Sequence, residues 1–130
     1  MSAGEQAVAI ARRWSGTPYL HQASVEGGGS DCLGLLRGIW RELYGGEPEL
    51  VPPYTPDWSE PARKERLWAA ARRHLIALSE EAGSLPERPG EVILFRLRAG
   101  GVAKHLGIAA RVGAGASFVH AYSGHGVIES

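Results

Sequence analysis

The chain has 130 residues, with 14 Lys+Arg against 14 Asp+Glu. That is enough for a hydrophobic core, without the charge excess that would point to nucleic acid or an anionic membrane surface as partner. A single cysteine excludes an internal disulfide and any multi-cysteine zinc or iron–sulfur site. With 44% hydrophobic and 22% charged residues, the composition is that of a soluble globular protein, expected to form one domain over residues 1–130.

The opening segment, Met1 to Trp14, carries an apolar stripe of Ala7, Val8, Ile10, Ala11 and Trp14 at helical spacing, which predicts a short amphipathic helix. Glu5, Gln6, Arg12 and Arg13 interrupt it, so it lacks the continuous apolar core of a secretion signal, and synthesis in the cytoplasm is expected. No later run approaches the ~20 apolar residues that span a bilayer. Gly16 ends the first helix, Thr17-Pro18-Tyr19 begins an extended segment, and Leu20 to Ser30 reads as a loop closing in three glycines. A second helix begins at Cys32 and carries Leu33, Leu36, Ile39, Trp40 and Leu43 on its expected buried side, with Gly45-Gly46 as its stop.

Four prolines between Glu47 and Trp58 mark an extended connector. Ser59 can cap a third helix with Pro61 in its first turn and Leu67, Trp68, Ala71, Leu75 and Leu78 as its stripe. His74 reads as a surface residue there. After Pro89-Gly90 the pattern turns to β: Val92 to Phe95, Leu106 to Val112, Ser117 to Tyr122, and a fourth strand opening at Val127-Ile128. Gly100-Gly101 and Gly113-Ala114-Gly115 supply turns. Helices first and an antiparallel sheet second define an α+β domain.

The chemistry centres on Gly27-Gly28-Gly29-Ser30-Asp31-Cys32. Asp31 can cap the second helix, which puts Cys32 at the first helical position, where the helix end favours a thiolate. Cysteine is also a small hydrophobe that is often simply buried, and this stretch alone supports both readings. A nucleophilic thiol needs a base, and the base needs a group that fixes its ring. His105 opens the second predicted strand and His120 lies in the third, with the Gly113-Ala114-Gly115 turn between them. If the two strands pair, Cys32, His105 and His120 can be drawn as thiolate, base and orienting imidazole. Taken singly, each histidine is also consistent with an ordinary polar residue. A zinc site is disfavoured because no short paired-ligand spacing is present.

Gly16-Thr17-Pro18-Tyr19, Asp31-Cys32-Leu33-Gly34-Leu35, Pro89-Gly90-Glu91-Val92, His105-Leu106-Gly107-Ile108 and Phe118-Val119-His120-Ala121 follow in that order over almost the whole chain. This set resembles the NlpC-type family of papain-like cysteine peptidases, the bacterial cell-wall endopeptidases. The Asp-Cys-Leu-Gly segment, the Pro-Pro-Tyr connector, the Lys104-His105 pair and the terminal Gly-His-Gly-Val are most similar to the branch found with phage tails and gene transfer agents. The resemblance implies a papain-like fold and a peptidase acting on peptidoglycan stem peptides. In it Cys32 is the nucleophile, His105 the base and His120 its orienting group, with no metal or cofactor. Tyr19 and the Cys32 backbone N–H would lie at the oxyanion position, and Asp31 would shape the helix start and a substrate subsite.

Two departures stand out: Leu33 follows the cysteine where relatives commonly have serine, and Leu20-His21-Gln22-Ala23 replaces the usual tryptophan–glycine–glycine. His21 is a candidate for part of the lost substrate contact. The implied partners are the stem peptide and the tail hub or tip proteins of a phage-like particle that would carry the enzyme to the wall. The rival expectations are a mainly structural tail component with little activity, or a thiol acyltransferase or amidase on the same scaffold. Relatives usually continue into a closing strand, so the expectation is either an incomplete sheet or one that a partner chain completes.

Overall fold

The computed structural model describes residues 1–54, 66–75, 85–96 and 103–130. Helix α1 (Ala3–Arg13) starts where Ser2 and Glu5 cap each other: the Glu5 N–H donates to Ser2 Oγ at 3.1 Å and the Ser2 N–H to Glu5 Oε1 at 3.2 Å. Helix α2 (Cys32–Tyr44) is capped by Asp31 and stopped by Gly45 in the left-handed region, φ 83°. Helix α3 (Arg66–His74) follows the proline-rich connector. The expected cap at Ser59, Pro61 in the first turn, Leu78 and the Gly100-Gly101 turn lie outside the described residues.

The segment read as a loop before Cys32 is a small hairpin, β1 (Ser24–Val25) against β2 (Gly29–Ser30). Gly27 at φ 78° and the Gly28 N–H donating to the Val25 carbonyl at 3.0 Å make its turn. Alternation does not announce a two-residue strand, which is why the pattern read as loop. Strands β3 (Val92–Arg96), β4 (Ala103–Arg111), β5 (Ser117–Tyr122) and β6 (Gly126–Glu129) form one antiparallel sheet in that order. The α+β expectation therefore holds: N-terminal helices pack on a C-terminal four-stranded sheet, burying Ile10, Ala11, Leu35 and Ile39 against Ile108, Val119 and Val127.

The buried side of α2 is rotated from the expected one. Gly34, Leu35, Gly38 and Ile39 are buried, while Leu33, Leu36, Trp40 and Leu43 are only partly so. Two glycines bring the helix close to its neighbours. A Cβ on Gly34 would lie 1.9 Å from the Ala23 carbonyl oxygen, and one on Gly38 would lie 2.2 Å from Trp14 Cζ2. The exposed expectation for His74 also changes: it is half-buried, with Nε2 2.9 Å from Glu49 Oε1 and its ring against Trp40.

The outer edge of β6 meets the chain itself. The Gly16 N–H donates to the Val127 carbonyl at 3.0 Å, and the Val127 N–H donates to the Thr17 carbonyl at 2.9 Å. Arg12 grips Glu129 with two hydrogen bonds, at 3.0 and 3.1 Å. Reciprocal Phe118 and Ser130 backbone bonds extend the β5–β6 pairing by one place.

Candidate functional site

Strand register brings the two histidines together. Ile108 pairs with Val119, so one residue back along β4 and one onward along β5 place Gly107 opposite His120, with His105, two further back, on the diagonal. Side chains two apart share a face, and diagonal neighbours lie within reach of aromatic rings. His105 Nε2 is 2.7 Å from His120 Nδ1. His120 Nε2 is in turn 2.9 Å from Ser130 Oγ. Gly107 makes room for this: a Cβ there would be 2.8 Å from the Phe118 ring and 3.5 Å from His120 Cβ. Phe95, Phe118 and Tyr122 pack around the pair, with ring centroids 5.6 Å from His105 for Phe95, and 4.5 and 5.6 Å from His120 for Phe118 and Tyr122.

The contacts are satisfied in either direction, according to the tautomer of each ring, and the direction that frees a base runs from His105 to Ser130. His105 Nε2–H donates to His120 Nδ1, and His120 Nε2–H donates to Ser130 Oγ. This leaves His105 Nδ1 with a lone pair and no proton, the form a base needs. Burial, and then the neighbouring His120, lower the His105 pKa to about 4, so the ring is neutral at pH 7. Burial and then His125 lower His120 as well.

Cys32 is buried at the first position of α2, in a cluster with Leu67 and Leu106. The backbone of Leu106, Leu33 and Cys32 itself favours the thiolate form of this sulfur. Leu106 directly follows His105, so the thiol meets β4 one residue from the imidazole pair. The expectation that the helix end yields a ready thiolate is overturned. Burial, reinforced by the Asp31 charge, pushes the thiol up to about 12, and the neighbouring backbone groups offset only part of that. Cys32 and His105 thus stand as neutral thiol and neutral imidazole.

Asp31 is 2% exposed and its carboxylate is held by its own chain. Oδ1 accepts from the Gly34 N–H at 2.7 Å, while Oδ2 accepts from the Gln22 N–H at 2.7 Å and from the Tyr54 hydroxyl. His21 joins this group rather than the imidazole pair. Its Nε2 lies 2.9 Å from the Tyr54 carbonyl oxygen, its Nδ1 lies 3.8 Å from Asp31 Oδ2, and its ring meets Tyr54 edge-on at 5.1 Å. Tyr19 bridges to Ser30. Burial, then the negative charges available at Asp31 and Cys32, raise its phenol pKa.

Sequence reasoning assigned no role to Tyr54, Gln22 or Ser130. Tyr54 carries the proline-rich connector to Asp31, and its phenol pKa is raised by burial and then by that bond. Gln22 adopts φ 65°, uncommon for a residue with a side chain, and its Nε2–H donates to the Tyr54 carbonyl at 2.8 Å. Tyr54 had one signal, its place after Pro52-Pro53. Gln22 and Ser130 had none, because each acts through a contact that only the folded chain makes.

No protein-family model matches the chain, and no curated protein matches it. Among solved structures the chain is similar to the NlpC/p60 domain of the peptidoglycan hydrolase SagA, with a TM-score of 0.58 and 23% identity over 98% of this chain and 87% of that one. The helices-then-sheet architecture is thus that of the NlpC/p60 papain-like fold.

Proposed function

We propose that residues 1–130 form a thiol peptidase domain of the NlpC/p60 type, acting on peptidoglycan stem peptides through Cys32, His105 and His120. The observation that carries this reading is the His105–His120 contact of 2.7 Å on adjacent strands, with the next residue, Leu106, packed in one buried cluster with Cys32. The hydrolase activity of the similar SagA domain supports the substrate class.

With both groups neutral, the thiol gives its proton to His105 Nδ1 as the sulfur attacks the scissile carbonyl carbon. The Cys32 backbone N–H and the Tyr19 hydroxyl serve the developing oxyanion. The C–N bond breaks, and the leaving amine takes the proton from His105. A water then gives a proton to His105 as it attacks the thioester; the C–S bond breaks, and the proton returns to sulfur. His120, fixed by Ser130, keeps His105 in the tautomer these steps require. His21 serves the polar side of the substrate site, and the buried Asp31 shapes the helix start and holds Gln22 and Tyr54 beside it.

The setting in a phage-tail-like or gene transfer agent particle, with tail proteins as partners and the cell wall as the place of action, is supported by the resemblance of the segments around Cys32, Tyr54, His105 and His125. The test is release of stem-peptide fragments from purified peptidoglycan. Wild type should release them and Cys32→Ala should not; equal yields from the two would end the peptidase reading.

A further inference from the structure

Tyr54 closes the proline-rich connector onto the first turn of α2. Its hydroxyl donates to Asp31 Oδ2, the oxygen that also accepts from the Gln22 N–H at 2.7 Å. Its carbonyl accepts from Gln22 Nε2–H at 2.8 Å and lies 2.9 Å from His21 Nε2. Its ring packs against the buried cluster of Cys32, Leu67 and Leu106. One residue therefore touches the helix cap, the segment that follows Tyr19, and the packing around the thiol. Asp31 Oδ1 meanwhile accepts from the Gly34 N–H at 2.7 Å, so the carboxylate grips the turn on which Cys32 sits from both sides.

We propose that Tyr54 is a positioning residue for the reaction: its hydroxyl, acting through Asp31, fixes the first turn of α2 and with it the Cys32 sulfur and N–H relative to Tyr19. The inference rests on the reading of Cys32 as nucleophile. Gln22 shows how closely the arrangement is held. It sits at φ 65°, where its N–H meets Asp31 and its side-chain amide meets the Tyr54 carbonyl. Without the hydroxyl, the buried carboxylate loses a charge-assisted bond that water does not replace at so enclosed a site. The turn then relaxes around Cys32. Attack needs the reacting atoms aligned, and a displacement on the order of 1 Å costs about 10²-fold in rate, so the effect falls on kcat.

The test is Tyr54→Phe in the full chain, which keeps the ring and the backbone contacts and removes the hydroxyl alone. In amide hydrogen exchange, Gly34 and Gln22, whose N–H groups donate to Asp31, should exchange at least about tenfold faster, while Val119, buried in the sheet, should stay within about threefold. On purified peptidoglycan, kcat should fall at least about tenfold with KM held within about twofold. Asp31→Asn still caps α2 through one oxygen but leaves the hydroxyl no second oxygen. Adding Tyr54→Phe to it should therefore change Gly34 exchange by less than about threefold. Tyr44→Phe, at an exposed tyrosine, should change neither exchange nor kcat. Unchanged exchange at Gly34, a rise shared equally by Val119, or an unchanged kcat in an active enzyme would overturn the proposal, and so would additive effects of the two substitutions. If the wild type releases no fragments while Gly34 and Gln22 still loosen, the peptidase reading is lost and the hold of Tyr54 on the Cys32 turn stands.

Discussion

Burial moves Cys32 and His105 in opposite directions, and both shifts favour the uncharged form. The consequence for pH is definite in sign. His105 can accept a proton only while neutral, so the acid limb of kcat/KM should fall near pH 4, well below the 6.5 of an ordinary histidine. A limb at 6–7 in a pH–rate profile would contradict this. The same lowered value makes stability fall with pH between 6.5 and 4, where the unfolded chain takes up the proton and the native ring does not. In the absence of substrate, Cys32 should be alkylated by iodoacetamide more slowly at pH 7 than a free thiol, and the rate should keep rising well above pH 9. His120→Asn should retain more activity than His120→Ala, since an amide oxygen can still accept from His105 Nε2–H.

At the level of elements, glycines set how closely the pieces approach. Gly38→Ala places a Cβ against the Trp14 ring and should cost about 1–3 kcal/mol in denaturant unfolding. Gly107→Ala meets the Phe118 ring at 2.8 Å, beside His120. Its larger effect should be on kcat, at least about tenfold, because the imidazole pair loses its alignment; unchanged kcat in a folded variant would refute this. Much of this level was legible in the sequence. Helical spacing located α1 and α2, and β-rich runs flanked by glycine located all four sheet strands to within a few residues. The histidine pair was legible because strand pairing is nearly dictated by a short glycine turn. The buried side of α2 was not, because periodicity counts large apolar residues while the closest approaches here are made by Gly34 and Gly38. The thiol's neutral state was also hidden, since it depends on how deeply α2 sinks its first turn.

For the molecule as a whole, the helices and the sheet are joined near the site and again at its far edge. Near the site, α2, α3 and the sheet all contribute walls to one cavity, so these elements meet around it. At the other edge, Gly16 and Thr17 bond to Val127, and a Cβ on Gly126 would lie 2.4 Å from the Thr17 carbonyl oxygen. That crossing makes the last strand and the exit of the first helix a single cooperative unit despite more than 100 intervening residues. In native-state hydrogen exchange the Gly16 and Val127 amides should therefore open with the same free energy and the same denaturant dependence. Exchange of Gly16 through local fraying, with Val127 still protected, would separate them. A domain closed in this way opens from its first-helix and last-strand ends together, and the amides of β6 report on the release of α1.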